Sequence, residues 1–217
     1  MTLAQCWDVA FERCSPARRF PSYRGQRSFP GWWWFATTGG HVGYESWLER
    51  DHLIALDADA EVIGVASQPF SLRWRDGTRV RRHVPDYFVR MRDGAAVVVD
   101  VRADDRVEPE DAEVFEAAGR ACESVGWEYR RVGEPDPVLA ANLRWLSGYR
   151  HPRCLRDEIA AQLEGVFTAS TELLAGARAV GDPIVVLPTL FHLLWTGRLV
   201  ADLAAVPLES STLVVLG

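Results

Sequence analysis

The sequence predicts a mixed α/β domain followed by a smaller helical one, and three observations carry that expectation. "YESWLERDHLIAL", from Tyr44 to Leu56, places apolar residues at helical spacing. Two Arg-Asp-Gly turns, Arg75–Gly77 and Arg92–Gly94, punctuate stretches rich in Val, Phe and Trp. From about Val138 the texture changes to a succession of short helical segments. Boundaries follow at 1–40 for an N-terminal arm, 41–135 for the α/β domain and 136–217 for the helical one.

The arm is rich in Arg, Pro, Gly and aromatics and includes "FPGWWWFATTGG". Three consecutive tryptophans cannot all face one core, so it reads as an irregular arm packed across the domain, or as an aromatic lid or DNA-facing surface. The helix at Tyr44–Leu56 carries Glu45, Glu49 and His52 along one stripe. "EVIGVASQPFSLRW" then reads as a strand broken at Gln68-Pro69, where Gln68 serves to bond backbone at the bend. The two RDG turns imply a three-stranded meander whose middle strand, "TRVRRHVPDYFVRM", holds Asp86. "PEDAEVFEAAGRACESVG" is an acidic helix stopped by Gly126, and "WEYRRV" is a further strand brought beside the meander with the helix covering the sheet. Helices follow at "VLAANLRWLSGY", "CLRDEIAAQLEG" and "ASTELLAGARAVG". A last helix has Pro188 at its start and Gly197 at its end. The tail "RLVADLAAVPLESSTLVVL" reads as a β-hairpin, so the C-terminal part is winged-helix-like. Its last helix bears Leu, Phe and Trp rather than base-contacting Arg or Asn, which favours docking on protein or plain packing over base reading.

Composition narrows the functions available. With 217 residues, 48% of them hydrophobic, the chain can bury a full core. No apolar run approaches a membrane span, and "MTLAQCWDVAFERC" does not read as a signal peptide. Cys6, Cys14, Cys122 and Cys154 are scattered with no C-x-x-C pair, which fits reduced thiols in a cytoplasmic protein better than zinc or a disulfide framework. A net charge of −6 excludes DNA coating through bulk charge. The charge is unevenly placed, however. Seven arginines lie between Arg73 and Arg92, whereas Asp104 to Glu123 carries eight acids. Such a basic stripe can hold a phosphate backbone. The chain has no lysine: all 24 basic residues are arginine.

The second RDG turn sets a register. With Arg92–Gly94 as a three-residue loop, Met91 pairs with Ala95 and Asp86 falls opposite Asp100 on one face, joined by Arg102 two positions on. Neighbouring carboxylates repel unless something cationic lies between them, and Mg²⁺ and Mn²⁺ prefer such oxygen ligands. By the same alternation His83 lies on the opposite strand face. Arg73, Arg79, Arg81, Arg82 and Arg90 read either as a solvated sheet surface or, with DNA bound, as phosphate contacts flanking the site.

"ESWLERD", "SQPFSLRWRDG", "HVPDYFVR" and "VVVDVR", in that order, resemble the PD-(D/E)-x-K restriction-endonuclease-like fold. More narrowly, they are similar to the TnsA-type endonuclease subunit of heteromeric transposases, across about Gly39 to Val132. The resemblance implies a Mg²⁺-dependent DNA endonuclease in which Mn²⁺ substitutes. Glu45, Asp86 and Asp100 would be metal ligands, and the Val101 carbonyl would complete the shell. By composition alone Glu49 rivals Glu45, and only the Glu-Ser match favours the latter. The implied partners are double-stranded DNA, a transposase subunit with an RNase-H-like core, and an AAA+ ATPase regulator; no membrane is involved. Arg102 stands where the family has lysine. Arginine stays protonated, so it cannot act as a base, although its fork can hold a phosphate oxygen or a water. The alternatives are a catalytically weakened subunit acting in DNA binding or assembly, a free-standing defence or repair nuclease, and a purely structural pairing of Asp100 with Arg102.

Overall fold

The computed structural model describes residues 2–20, 24–26 and 29–217, so Met1 and parts of the arm at 21–23 and 27–28 lie outside the described residues. The chain divides into two compact units, Met1–Glu134 and Pro135–Gly217.

The arm expected to be irregular ends in a strand. β1 (Gly31–Phe35) pairs antiparallel with β2 (Gly40–Tyr44), Trp33 facing Val42. Strand alternation resolves the three tryptophans. Trp33 packs on the core and donates its indole N–H to Asp57 Oδ2 at 2.9 Å, while Trp32 stays 57% exposed. Helix α1 (Trp47–Ala58) starts later than its apolar spacing predicts, because Ser46 caps it. Ser46 Oγ accepts from the Glu49 N–H at 3.1 Å and donates to the Glu49 carboxylate at 2.9 Å, and that carboxylate also accepts from the Glu45 N–H at 2.8 Å, one residue before the cap. Glu45 therefore lies just before the helix rather than on it.

β3 (Val62–Ser67) stops at Gln68, whose φ of 48° is a left-handed conformation uncommon for a non-glycine residue. The expected three-stranded meander does not form. β4 (Leu72–Asp76) and β5 (Arg79–His83) make a separate two-stranded ribbon, closed by Gly77-Thr78 rather than by a three-residue loop. Gly77, at φ 58°, takes the first loop position, where a two-residue hairpin accepts glycine. The long predicted strand is cut at Val84–Asp86, since Pro85 has no N–H to give a ladder. β6 (Tyr87–Met91) and β7 (Ala96–Val101) then form the hairpin that the second turn predicts. Gly94, at φ 90°, donates to Met91 O at 3.0 Å, and Arg90 faces Ala96. Helix α2 (Pro109–Glu123) crosses over to β8 (Glu128–Val132), which runs parallel to β7.

The main sheet has the order β3-β6-β7-β8. One face packs Leu53 of α1 with Phe35, Val65, Tyr87, Val89, Val97 and Val99. The other packs Phe88, Val98, Cys122 and Trp127, with Phe11 and Phe70 against them. Each such side chain contributes roughly 1.5–3 kcal/mol on burial, so the sheet centre is firmly held. The site lies at the strand ends beyond it.

In the second unit, α3 (Pro137–Leu146), α4 (Asp157–Val166) and α5 (Leu173–Val180) surround α6 (Pro183–Trp195). A small antiparallel sheet has the order β10 (Leu199–Val200), β11 (Leu213–Leu216), β9 (Thr171–Glu172). The last helix begins at Pro183, not at Pro188. Asp182 accepts from the Ile184 N–H at 3.0 Å, a side-chain cap that outweighs the loss of one internal hydrogen bond at Pro188. Burial of Val186, Leu190, Leu193, Leu194 and Trp195 makes α6 the core of this unit.

Candidate active site

Gln68, Asp86 and Asp100 sit side by side across the ends of β3, β6 and β7. Ser67 faces Tyr87 and Tyr87 faces Val99, so one further step brings the three into a row. The Gln68 N–H donates to Asp86 O at 2.8 Å. The Val101 N–H donates to Asp86 Oδ2 at 2.8 Å, and the Asp86 N–H reaches Asp100 Oδ1 at 3.3 Å. Sequence pairing thus places Asp86 and Asp100 as neighbours, and their carboxylates then find different partners.

Asp100 is buried, and its Oδ2 receives two hydrogen bonds, from His83 Nε2 at 2.7 Å and from the Tyr129 hydroxyl at 2.7 Å. His83 is the site residue that strand alternation misplaces. The break at Pro85 resets the parity, turning the ring under the β7 end. The proximity of Asp100, after burial itself, pushes the Tyr129 hydroxyl up and lifts the Cys122 thiol to about 12.

Asp86 ionises with difficulty. Burial raises its pKa well above the carboxylate range, Glu49 and then Asp100 add like charge, and the Val101 N–H opposes them. Glu49, although it caps α1, is itself raised by burial and by Glu45. Both glutamates that the sequence left in competition therefore stand near Asp86, and Glu49 acts on it more strongly. Glu45 is held by Arg18 from the arm in a two-pronged pair at 2.8 and 2.6 Å.

Arg102 does not reach Asp100. Its guanidinium donates to Arg106 O at 3.0 Å and to Asp111 Oδ2 at 2.9 Å, securing the first turn of α2. The basic residues are likewise sorted. Arg81 is paired with Asp76 and Glu113. Arg90 lies at the far end of β6, against Glu12 and Gly94 O, so it does not flank the carboxylates. Arg79 and Arg82 are exposed on the ribbon.

Oxygen donors with unbalanced negative charge suit a hard divalent cation, which can be held through one or two carboxylates and its own waters. Gln68 adds a second sign, for its Oε1 is buried without a hydrogen-bond partner. The strand break at Gln68 was legible in "SQPF", but the side chain was expected to bond backbone, and its Oε1 does not. Among the described residues no three His, Cys, Asp or Glu side chains are grouped as a ready cage. The row fits a cation by charge and donor type, then, with Asp86 as its centre.

Residues 59–134 match the model of the family described as TnsA-like endonuclease N terminal. The match covers β3 through β8, including Asp86, Asp100 and Arg102. No curated protein matches the chain. Among the described residues no helix is long and apolar enough to cross a membrane.

Proposed function

We propose, from the match of residues 59–134 to the TnsA-like endonuclease N-terminal family, that the chain is the DNA-cleaving subunit of a heteromeric transposase, hydrolysing phosphodiester bonds at transposon ends with Mg²⁺. The observation that carries this reading is the Asp86 carboxyl, oriented by the Val101 N–H beside Asp100 and crowded by negative charge. Asp86 and Asp100 would hold the ion, with the Val101 carbonyl and, once freed from Arg18, Glu45. A bound Mg²⁺ would polarise the scissile phosphate and lower the pKa of attacking water. The chain's own residues orient and exclude: the Val101 N–H fixes one Asp86 oxygen, and His83 with Tyr129 fixes Asp100. Arg102 supplies a fixed positive charge near the α2 start, suited to a phosphate oxygen and unable to take a proton. The C-terminal unit would be the winged-helix-like module that meets the ATPase regulator, its order from α4 onward of helix, strand, two helices, two strands being compatible with that role.

Mn²⁺-dependent plasmid nicking tests the proposal, run with the partner transposase. Wild type and Arg102→Lys should nick, and Asp86→Ala should lower the rate by about 100-fold or more, at or beyond the upper end of the ~10–100-fold that losing a mere outer-shell partner costs. Nicking by Asp86→Ala at the wild-type rate would sink the site. A second reading is a weakened subunit that binds DNA or assembles the complex. It is favoured by the engagement of Arg102 with Asp111 and of Glu45 with Arg18, and it predicts nicking by Arg102→Lys alone or by none of the three.

A further inference from the structure

The β4–β5 ribbon is two-sided, and its outer side has a composition that the fold does not require. Directly opposite residues share a face, so Arg73 with Arg82 and Arg75 with Val80 make one face, and Trp74 with Arg81 makes the other. The second face is neutralised: Arg81 pairs with Asp76 and with Glu113 of α2, and His83 lies on Asp100. The first carries Arg73, Arg75 and Arg82, all exposed, with no carboxylate among them. Among the described residues Arg82 donates to Ser71 Oγ at 2.7 Å and meets no carboxylate, so its charge is uncompensated there. Arg73 directly facing Arg82 is a like-charge cross-strand pair, which destabilises an isolated ribbon. Val80 sits at the tip of the same face, 68% exposed. A ribbon that accepts internal repulsion in a chain of net charge −6 matches an external polyanion.

We infer that the outer face of the β4–β5 ribbon grips double-stranded DNA, with Arg73, Arg75 and Arg82 on backbone phosphates of one groove. A two-stranded antiparallel ribbon fits the major groove, which is about 12 Å wide. The inference rests on the endonuclease reading and adds a surface to it, since the cations nearest the carboxylate row, Arg18 and Arg102, are each already paired with a carboxylate. The contacts are to phosphate, so the ribbon supplies position and affinity rather than sequence preference.

Fluorescence anisotropy of the full chain with a labelled random-sequence duplex, in EDTA and over a KCl series, tests it. Removing three phosphate contacts should reduce the slope of log K against log[salt] by about 3. The Arg73→Gln/Arg75→Gln/Arg82→Gln variant should show that loss and bind at least tenfold more weakly. The corresponding triple Lys variant should keep the wild-type slope, which separates charge from folding. Equal slopes for wild type and the Gln variant overturn the ribbon, as does a wild type that binds an acidic protein partner but no duplex. Because binding is read without metal, a ribbon effect alongside inactive wild-type nicking would leave the surface standing and remove only the nuclease reading.

Discussion

Asp86 is a carboxyl whose ionisation works against folding. Its folded pKa is raised, first by burial and then by Glu49 and Asp100, so the folded chain holds this proton more tightly than the unfolded one. The resulting penalty is complete above the folded pKa and fades as pH falls toward the unfolded value near ~3.9. Asp86→Asn keeps an acceptor for the Val101 N–H and removes the charge. In metal-free buffer it should melt several degrees above wild type at about pH 8, a difference worth on the order of 1 kcal/mol or more for a domain of this size. The gain should shrink on titration toward pH 4. A variant less stable than wild type at pH 8 would show that the carboxylate is compensated after all. At this scale the sequence was legible where backbone pairing decides, as for Asp86 beside Asp100. It was not legible where side chains choose partners across elements: Arg18 reaches Glu45 over 27 residues and Tyr129 reaches Asp100 over 29. Neither pairing leaves a local signal.

The second RDG turn was read correctly, whereas the first closed one residue later than expected and the strand after it was cut by a break. The three-residue turn ending at Gly94 carried the β6–β7 register, which is why the adjacency of the two aspartates was available from residues alone. The strand running into Asp86 was expected to be continuous because the two RDG turns imply a three-stranded meander. Pro85 still ends it, and with it went the meander and the side assigned to His83. The C-terminal helices show a similar contest at closer range. Gly176 in α5 has no room for a Cβ, because the buried ring of Phe167 occupies that place. In an open helix Gly→Ala would add about 1 kcal/mol of stability. Here Gly176→Ala should instead destabilise by about 1–3 kcal/mol through overpacking, read as a lower urea midpoint at unchanged m-value. A stabilised variant would mean that the ring moves aside freely.

Across the whole molecule, every carboxylate of the candidate site belongs to Met1–Glu134, while Pro135–Gly217 has its own core around α6. Ligand linkage then makes a selective demand. A cation bound only by the folded first unit stabilises that unit by RT ln(1 + [M]/Kd), about 2.7 kcal/mol at a hundredfold excess over Kd, and gives the second unit nothing. Calorimetry of the full chain should resolve two transitions, with Mg²⁺ or Mn²⁺ raising one and leaving the other in place. Asp86→Ala should abolish the shift without moving the unresponsive transition. The assignment of transitions is independent of metal, since Gly176→Ala lowers the second unit alone. If metal instead moves the transition that Gly176→Ala lowers, the cation site lies in the helical unit and the carboxylate row is not it. If metal moves neither, the crowding at Asp86 is relieved by protonation rather than by a cation, and the weakened-subunit reading gains what the nuclease loses.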